Sequence, residues 1–345
     1  MITPSQPQTG ALLYVGIDEA GYGPTLGPLT TALTVFEVEA WDLGGRPPNL
    51  WSALRRTVCR NAADTRKGRI AINDSKQLKL PNSSAKRHPL THLERGVLAF
   101  IAAHDPEHTP LADDQALLQR LGTTHAHLPW YTGQPIELPL STTADHVRLL
   151  AAQLDRARRR AGVTLHAARA RLLPEDLFNQ RLENMQSKAR VSFSLVEELL
   201  REFFRAVPDA LPDAVRIVID RQGGRTAYAD ALARALPKAG IRTLAESPRA
   251  SSYEISPPRS SPWAASNIRV LFTVDAEQDH LPVALASMTA KLTRELAMMR
   301  FNRHFGERIS ELKPTAGYAT DARRWLEDAG GALTTEERRL LVRRA

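Results

Sequence analysis

The stretch YVGIDEAGYGPTLGPL, residues 14–29, runs an apolar segment into Asp18-Glu19 and then directly into Gly21, Gly23 and Gly27. Such a segment, bounded by a Gly/Pro cluster, reads as a buried strand that leaves its sheet through a turn. A carboxylate at the end of a buried strand must be paired, solvated or metal-bound, because desolvating it alone is prohibitive. Side chains alternate along a strand, so Asp18 and Glu19 reach one site only if the strand ends at Glu19. Ala20-Gly21 offers that exit. The plainer alternative is a hairpin whose carboxylates are simply solvated.

Further apolar runs follow. LTTALTVFEV (29–38), RIAIND (69–74), AVRIVID (214–220) and RVLFTVDAE (269–277) read as strands. Helical spacing marks 92–104, 144–172, 190–206, the segment after Ala227, and a long helix over 282–305. A hairpin at the start and strands alternating with helices afterwards predict a mixed α/β sheet with helices on its faces. Two segments read as insertions: 105–143, rich in Pro and Thr, and 247–266, a Ser/Pro-rich exposed loop. RARRRAG (156–162) reads as a solvated basic face.

Composition excludes several classes. No run of about 18 apolar residues exists, so no membrane span is expected. The start MITPSQPQTG lacks a basic, apolar signal, and the single Cys59 suits a reducing compartment, so a cytoplasmic protein is expected. There is no P-loop, no G-x-S-x-G and no His/Cys set with zinc spacing. A net charge of +8 favours a polyanionic partner. What remains as chemistry is carboxylates.

Four acidic positions close strand-like runs: Asp18, Glu19, Asp220 and one of Asp275, Glu277 or Asp279. Strand ends along one edge of an open sheet are where ligand sites assemble. Magnesium suits a set of hard oxygens, and two such ions about 4 Å apart can flank a phosphodiester.

GIDEAGYGPTLGPL resembles the opening motif of the type 2 ribonucleases H, the ribonuclease HII/HIII family, and four more segments resemble that family in the same order. They are NDSKQL (73–78), IVIDRQGG (217–224), ALASMTAKLTRE (284–295) and AGYATDARRWL (316–326). The resemblance implies a ribonuclease H-like domain over 1–310 and a helical C-terminal extension over 311–345. It implies hydrolysis of the RNA strand of RNA/DNA hybrids, or of duplex DNA with embedded ribonucleotides. Two Mg²⁺ or Mn²⁺ ions would take part, leaving 3′-hydroxyl and 5′-phosphate ends, and a monomer is expected.

Residue by residue, Asp18 matches the family carboxylate that bridges the metals, Glu19 its neighbour and Asp220 the third. The family places its fourth ten residues before the Ser and fourteen before the Lys of A-S-x-x-A-K. Counted from Ser287 and Lys291, both land on Glu277, with Asp275 and Asp279 as alternates on the same expected strand face. Gly21, Tyr22 and Gly23 match the loop that approaches the minor groove, where 2′-hydroxyls mark RNA. Ser75, Lys76, Ser287, Lys291 and Arg294 match cleft or phosphate contacts, and Tyr318 the tyrosine that stacks on a sugar. Ser287, Lys291 and Arg294 share one helix face, a polar stripe expected to meet solvent or ligand. The pattern departs at Tyr22, Arg221 and Arg323, where the family commonly has other residues. The rival readings are a hybrid-binding protein without catalysis and a related metal-dependent DNA nuclease.

Overall fold

The first apolar run forms β1 (Thr9–Ala20), and the second pairs back against it as β2 (Leu29–Asp42). The computed structural model describes residues 9–82, 84, 86–105 and 107–344; most of the N-terminal stretch read above lies outside the described residues. In chain order there follow α1 (Leu50–Ala53), β3 (Val58–Cys59), β4 (Ile70–Ala71), α2 (Ser75–Leu78), α3 (Thr91–His104), α4 (Asp114–Arg120) and α5 (Ala144–Ala161). Next come β5 (Val163–Leu173), α6 (Glu175–Met185), α7 (Lys188–Arg205), β6 (Ala214–Asp220), α8 (Ala229–Ala235), β7 (Gly240–Glu246) and β8 (Ala250–Ser256). The chain closes with β9 (Asn267–Thr273), α9 (Leu281–Arg308), α10 (Ala319–Ala329) and α11 (Thr335–Leu341).

Seven strands form one sheet in the order β5-β2-β1-β6-β9-β8-β7. The three central strands β1, β6 and β9 run parallel, so their C-terminal ends share one edge. Alternation along β1 sends Leu12 and Tyr14 to one face, under α3, α5 and α9, and Leu13, Val15 and Ile17 to the other, under α7 and α8. Burying each such Leu, Val or Ile contributes roughly 1.5–3 kcal/mol. Gly16 lets α9 lie directly on β1: a Cβ there would stand 2.2 Å from the backbone of Pro282 and Val283. The mixed sheet, the helices on both faces and the C-terminal helices agree with the fold class expected.

Several local expectations do not hold. The helix expected over 144–172 ends at Ala161, where Gly162 caps it in the left-handed region, and VTLHAARARLL continues as β5 along β2. Alanine and arginine there carry helical propensity, but the free edge of β2 needed hydrogen-bond partners. The supposed loop 247–266 contains β8, a strand inside the sheet, with Ser251, Tyr253 and Ile255 buried alternately. RIAIND gives only the two-residue β4, which pairs with β3 in a small separate sheet. Insertion 105–143 is packed: it holds α4 and buries Trp130 and Tyr131 against Phe301 and Phe305 of α9, in the cluster that also receives Trp325 of α10.

Candidate active site

The ladder between β1 and β6 stops at Ile17 and Ile219, so Asp18, Glu19 and Asp220 emerge together where the two strands part. β1 itself continues to Ala20 on the β2 side, past the expected end at Glu19. The two carboxylates therefore stay on opposite faces of one strand and still meet at its edge. Asp18 lies on the α9 side, and Ser287 hydrogen-bonds it and weakens its tendency to hold a proton. Glu19 lies on the other side, where Gln222 Nε2 donates to its Oε2 at 3.0 Å. Asp220 accepts the Ala276 amide at 2.9 Å, which ties the end of β6 to the turn after β9.

That turn corrects the strand face expected for the fourth carboxylate and its alternates, while leaving Glu277 as the acid the register points to. Residues 274–279 are not strand: β9 ends at Thr273, and Ala276–Gln278 form a single 3₁₀ turn after Asp275, whose φ is +53°. Asp275, Glu277 and Asp279 share no strand face. The turn buries Glu277 and leaves Asp275 and Asp279 exposed, because a short helical turn rotates each successive side chain away from the last.

Burial and mutual repulsion set the charge of the group. Desolvation first, then the charges of Glu19, Asp220 and Glu277, push the Asp18 carboxyl well above its ordinary range. Glu19 and Glu277 are pushed to about 7, each by desolvation and then by Asp220. Asp220 is raised as well, chiefly by burial. One side-chain ammonium faces all of them: burial works against the charge of Lys76, but Asp74, Asp18, Glu277 and Asp220 hold it above its usual value. Four carboxylates against one lysine leave excess negative charge at the edge, and Glu277 Oε2 is buried with no hydrogen-bond partner.

Among the described residues no three His, Cys, Asp or Glu side chains converge as a ready-made metal group. The donor chemistry nonetheless fits hard divalent cations: carboxylate oxygens only, an orphaned buried one among them, and negative charge in excess. A stability consequence follows. A carboxyl whose folded value is raised favours the folded state fully below its unfolded value and loses that advantage as pH rises through the folded value. For Glu19 and Glu277 the window runs from 4.5 to about 7. Cation-free protein is therefore expected to lose melting temperature between pH 5.5 and 8, and Mg²⁺ or Mn²⁺ to raise it more at pH 8. Calorimetry at both pH values checks this; a cation effect of equal size at both would contradict it.

The glycine loop between β1 and β2 is clamped from below. Gly21 is buried with φ +90°, and a Cβ there would stand 2.6 Å from Arg294 Nε and 2.7 Å from the Pro28 carbonyl. Arg294 donates to the carbonyls of Pro28, Leu26 and Ala316 at 3.2, 3.1 and 3.0 Å. It is fully buried, so it cannot be the phosphate contact expected: it holds the loop's shape. The polar stripe of α9 fails to meet solvent because this loop and residues 315–318 cover it. Lys291 pairs with Glu295 at 2.8 Å beneath the Tyr318 ring. Ser287 hydrogen-bonds Ser75 at 3.0 Å, both buried, joining α9 to the start of α2.

Four of the expected residues remain open to a ligand. Gly23 is exposed with nothing near its missing Cβ, Tyr22 is partly exposed, Lys76 is exposed, and Tyr318 presents its ring to solvent at 45% exposure. Sequence reasoning missed Gln222, Glu175 and Arg343. Arg343, two residues past the end of α11, reaches back to donate to the carbonyls of Gly21 and Tyr22, at 2.6 and 3.1 Å. Glu175 accepts the Gly27 amide at 3.0 Å. No local pattern marks either residue, since each acts across more than a hundred positions of chain.

No family model matches the chain, and no curated protein matches it by sequence. Solved structures do. Ribonuclease HII of Archaeoglobus fulgidus, in a complex with PCNA, shares 14% identity at a TM-score of 0.39, over 96% of this chain and 93% of that one. Ribonuclease H2 of Pyrococcus horikoshii OT3 shares 16% at 0.41, over 92% and 86%. Bst-RNase HIII in complex with Mn²⁺ shares 15% at 0.39, over 96% and 66%. All three are type 2 ribonucleases H. At these identities and scores the likeness assigns no residue and no activity to this chain.

Proposed function

We propose that the protein is an endoribonuclease that hydrolyses the RNA strand of RNA/DNA hybrids, leaving 3′-hydroxyl and 5′-phosphate ends. It would act as a cytoplasmic monomer, with Asp18, Glu19, Asp220 and Glu277 holding two Mg²⁺ or Mn²⁺ ions. The observation that carries this reading is the placement of four carboxylates at the edge where β1, β6 and β9 end, near enough to raise one another's tendency to hold a proton, beside an exposed glycine loop. When bound, such ions supply a deprotonated water and Lewis-acid stabilisation of the leaving oxygen.

The chain's own groups have distinct tasks. Asp18 is central: its Oδ1 is held by the Glu19 amide at 2.7 Å and its position by Ser287. Gln222 fixes the Glu19 carboxylate, and the Ala276 amide fixes Asp220, so neither must be ordered when substrate arrives. Lys76 places an ammonium among the carboxylates, where a phosphodiester would otherwise be repelled. The bare backbone at Gly23 can approach a groove closely, and hydrogen bonds from it to a ribose 2′-hydroxyl select RNA over DNA. Tyr318, backed by the guanidinium of Arg294 at 5.5 Å, offers a ring face to a sugar.

Cleavage of two labelled duplexes, one with an all-RNA strand and one with a single ribonucleotide, tests the reading. Both should be cut with Mg²⁺ and neither in excess EDTA. With Tyr22 rather than a cation in the glycine loop, the all-RNA strand should be cut at least as well as the lone ribonucleotide. Robust cutting in EDTA, or cutting of plain DNA alone, would sink the reading.

A further inference from the structure

The basic run RARRRAG has no part in the carboxylate site, and the structure divides its arginines into two kinds. Arg158 and Arg159 turn to Asp155, at 2.5 and 3.0 Å, and Arg158 also bonds Thr164 Oγ1 and the Ala103 carbonyl. Arg156 and Arg160, one turn apart on the same face of α5, are exposed and have no acidic partner among the described residues. Across an open cleft of about 400 Å³ they face Arg55 and Arg56, which follow α1 and are likewise exposed and unpaired. Thr57 and Gln153 line the cleft between them, and no acidic residue does.

A helix C-terminus carries only about half a negative charge, so the ends of α1 and α5 cannot neutralise four guanidiniums. Their repulsion is tolerable in solvent, and the cleft focuses the positive potential. Guanidinium forks match phosphate oxygens two at a time. All four side chains stand in solvent along an open cleft rather than closing over a cavity, which suits a continuous strand better than a small enclosed anion. The cleft lies far from the carboxylates. β5 starts just after α5 and pairs Val163 with Val38, whereas Asp18 pairs with Ala32. Six residues of β2 separate these levels, about 20 Å along the strand.

We infer that this cleft is a second nucleic-acid contact, taking consecutive phosphodiesters of a strand that extends beyond the carboxylate site. That the strand belongs to the substrate rests on the hydrolase reading, but the test measures binding rather than cleavage. Anisotropy of a labelled, uncleavable all-DNA duplex of about 30 base pairs is followed against salt with the full chain. The Arg156→Ala/Arg160→Ala variant should lower the log–log salt slope by about 1.8, two phosphate contacts at about 0.9 each. Arg159→Ala, whose charge is already paired, should leave it unchanged, and Arg156→Lys/Arg160→Lys should restore most of it. An unchanged slope in the double alanine variant overturns the inference. So does a site that takes inorganic tripolyphosphate in an Arg156- and Arg160-dependent way while duplex binding is unaffected. A lowered slope in a protein that cuts no hybrid would sustain this contact and defeat the hydrolase reading.

Discussion

If the protein is the hydrolase proposed, Glu277→Gln is expected to lower turnover on an RNA/DNA hybrid at saturating Mg²⁺ by roughly a thousandfold or more, whereas Asp275→Asn and Asp279→Asn are each expected to cost about tenfold or less. Glutamine keeps the size and hydrogen-bonding capacity of the side chain but removes one of the charges that would hold the proposed cations. Lewis-acid stabilisation is worth several kcal/mol, and about 4 kcal/mol is a thousandfold. Glu277 is buried beside Asp220 with an orphaned oxygen, while Asp275 and Asp279 stand exposed on the same turn. Folding should survive, because removing one member of a repelling acidic cluster relieves strain. Steady-state rates of the three variants on one substrate decide it: an active Glu277→Gln beside a dead Asp275→Asn or Asp279→Asn reverses the assignment.

The largest effect on stability lies elsewhere, in the segment that reads as an insertion. Asp114 at the start of α4 meets Arg300 of α9 in a two-pronged pair, Nε to Oδ2 at 2.6 Å and Nη2 to Oδ1 at 2.7 Å, both side chains fully buried. The Ile136 amide donates to the same carboxylate at 2.9 Å. Burial opposes the charge, but these bonds and His125 hold the Asp114 carboxyl far below the usual range. Asp114→Asn or Arg300→Met leaves a buried charge uncompensated and should cost about 3–5 kcal/mol in urea unfolding. Removing both charges together, as Asp114→Leu/Arg300→Met, should cost less than either alone. Single variants within about 1 kcal/mol of the parent would show that the pair behaves like an exposed one.

Legibility in the sequence followed the strength of local signals. The nearly continuous apolar runs LLYVGI and AVRIVID needed no partner to declare strands buried on both faces, and α9 declared itself by length. β8 was hidden because SSYEIS alternates serine with tyrosine and isoleucine inside a Pro/Ser-rich stretch, where composition outweighed period. β5 was hidden because Ala and Arg favour a helix until the edge of β2 offers them backbone hydrogen bonds. Arg294 read as a ligand-facing cation since spacing along a helix says which residues share a face, not what covers that face.

By itself the sequence determined that acidic side chains close the apolar runs at Asp18, Glu19, Asp220 and near residue 277, that glycines follow the first pair, and that the donors available there are hard oxygens. Those facts are local, set by residue type and period. Only the tertiary structure decided which acid after β9 is buried with the others, because a 3₁₀ turn and not a strand carries it. It alone assigned Arg294 and Arg343 to the carbonyls of the glycine loop and sorted RARRRAG into paired and unpaired arginines. Each of those outcomes depends on groups distant in sequence competing for the same charge or hydrogen bond, and no local pattern encodes the winner.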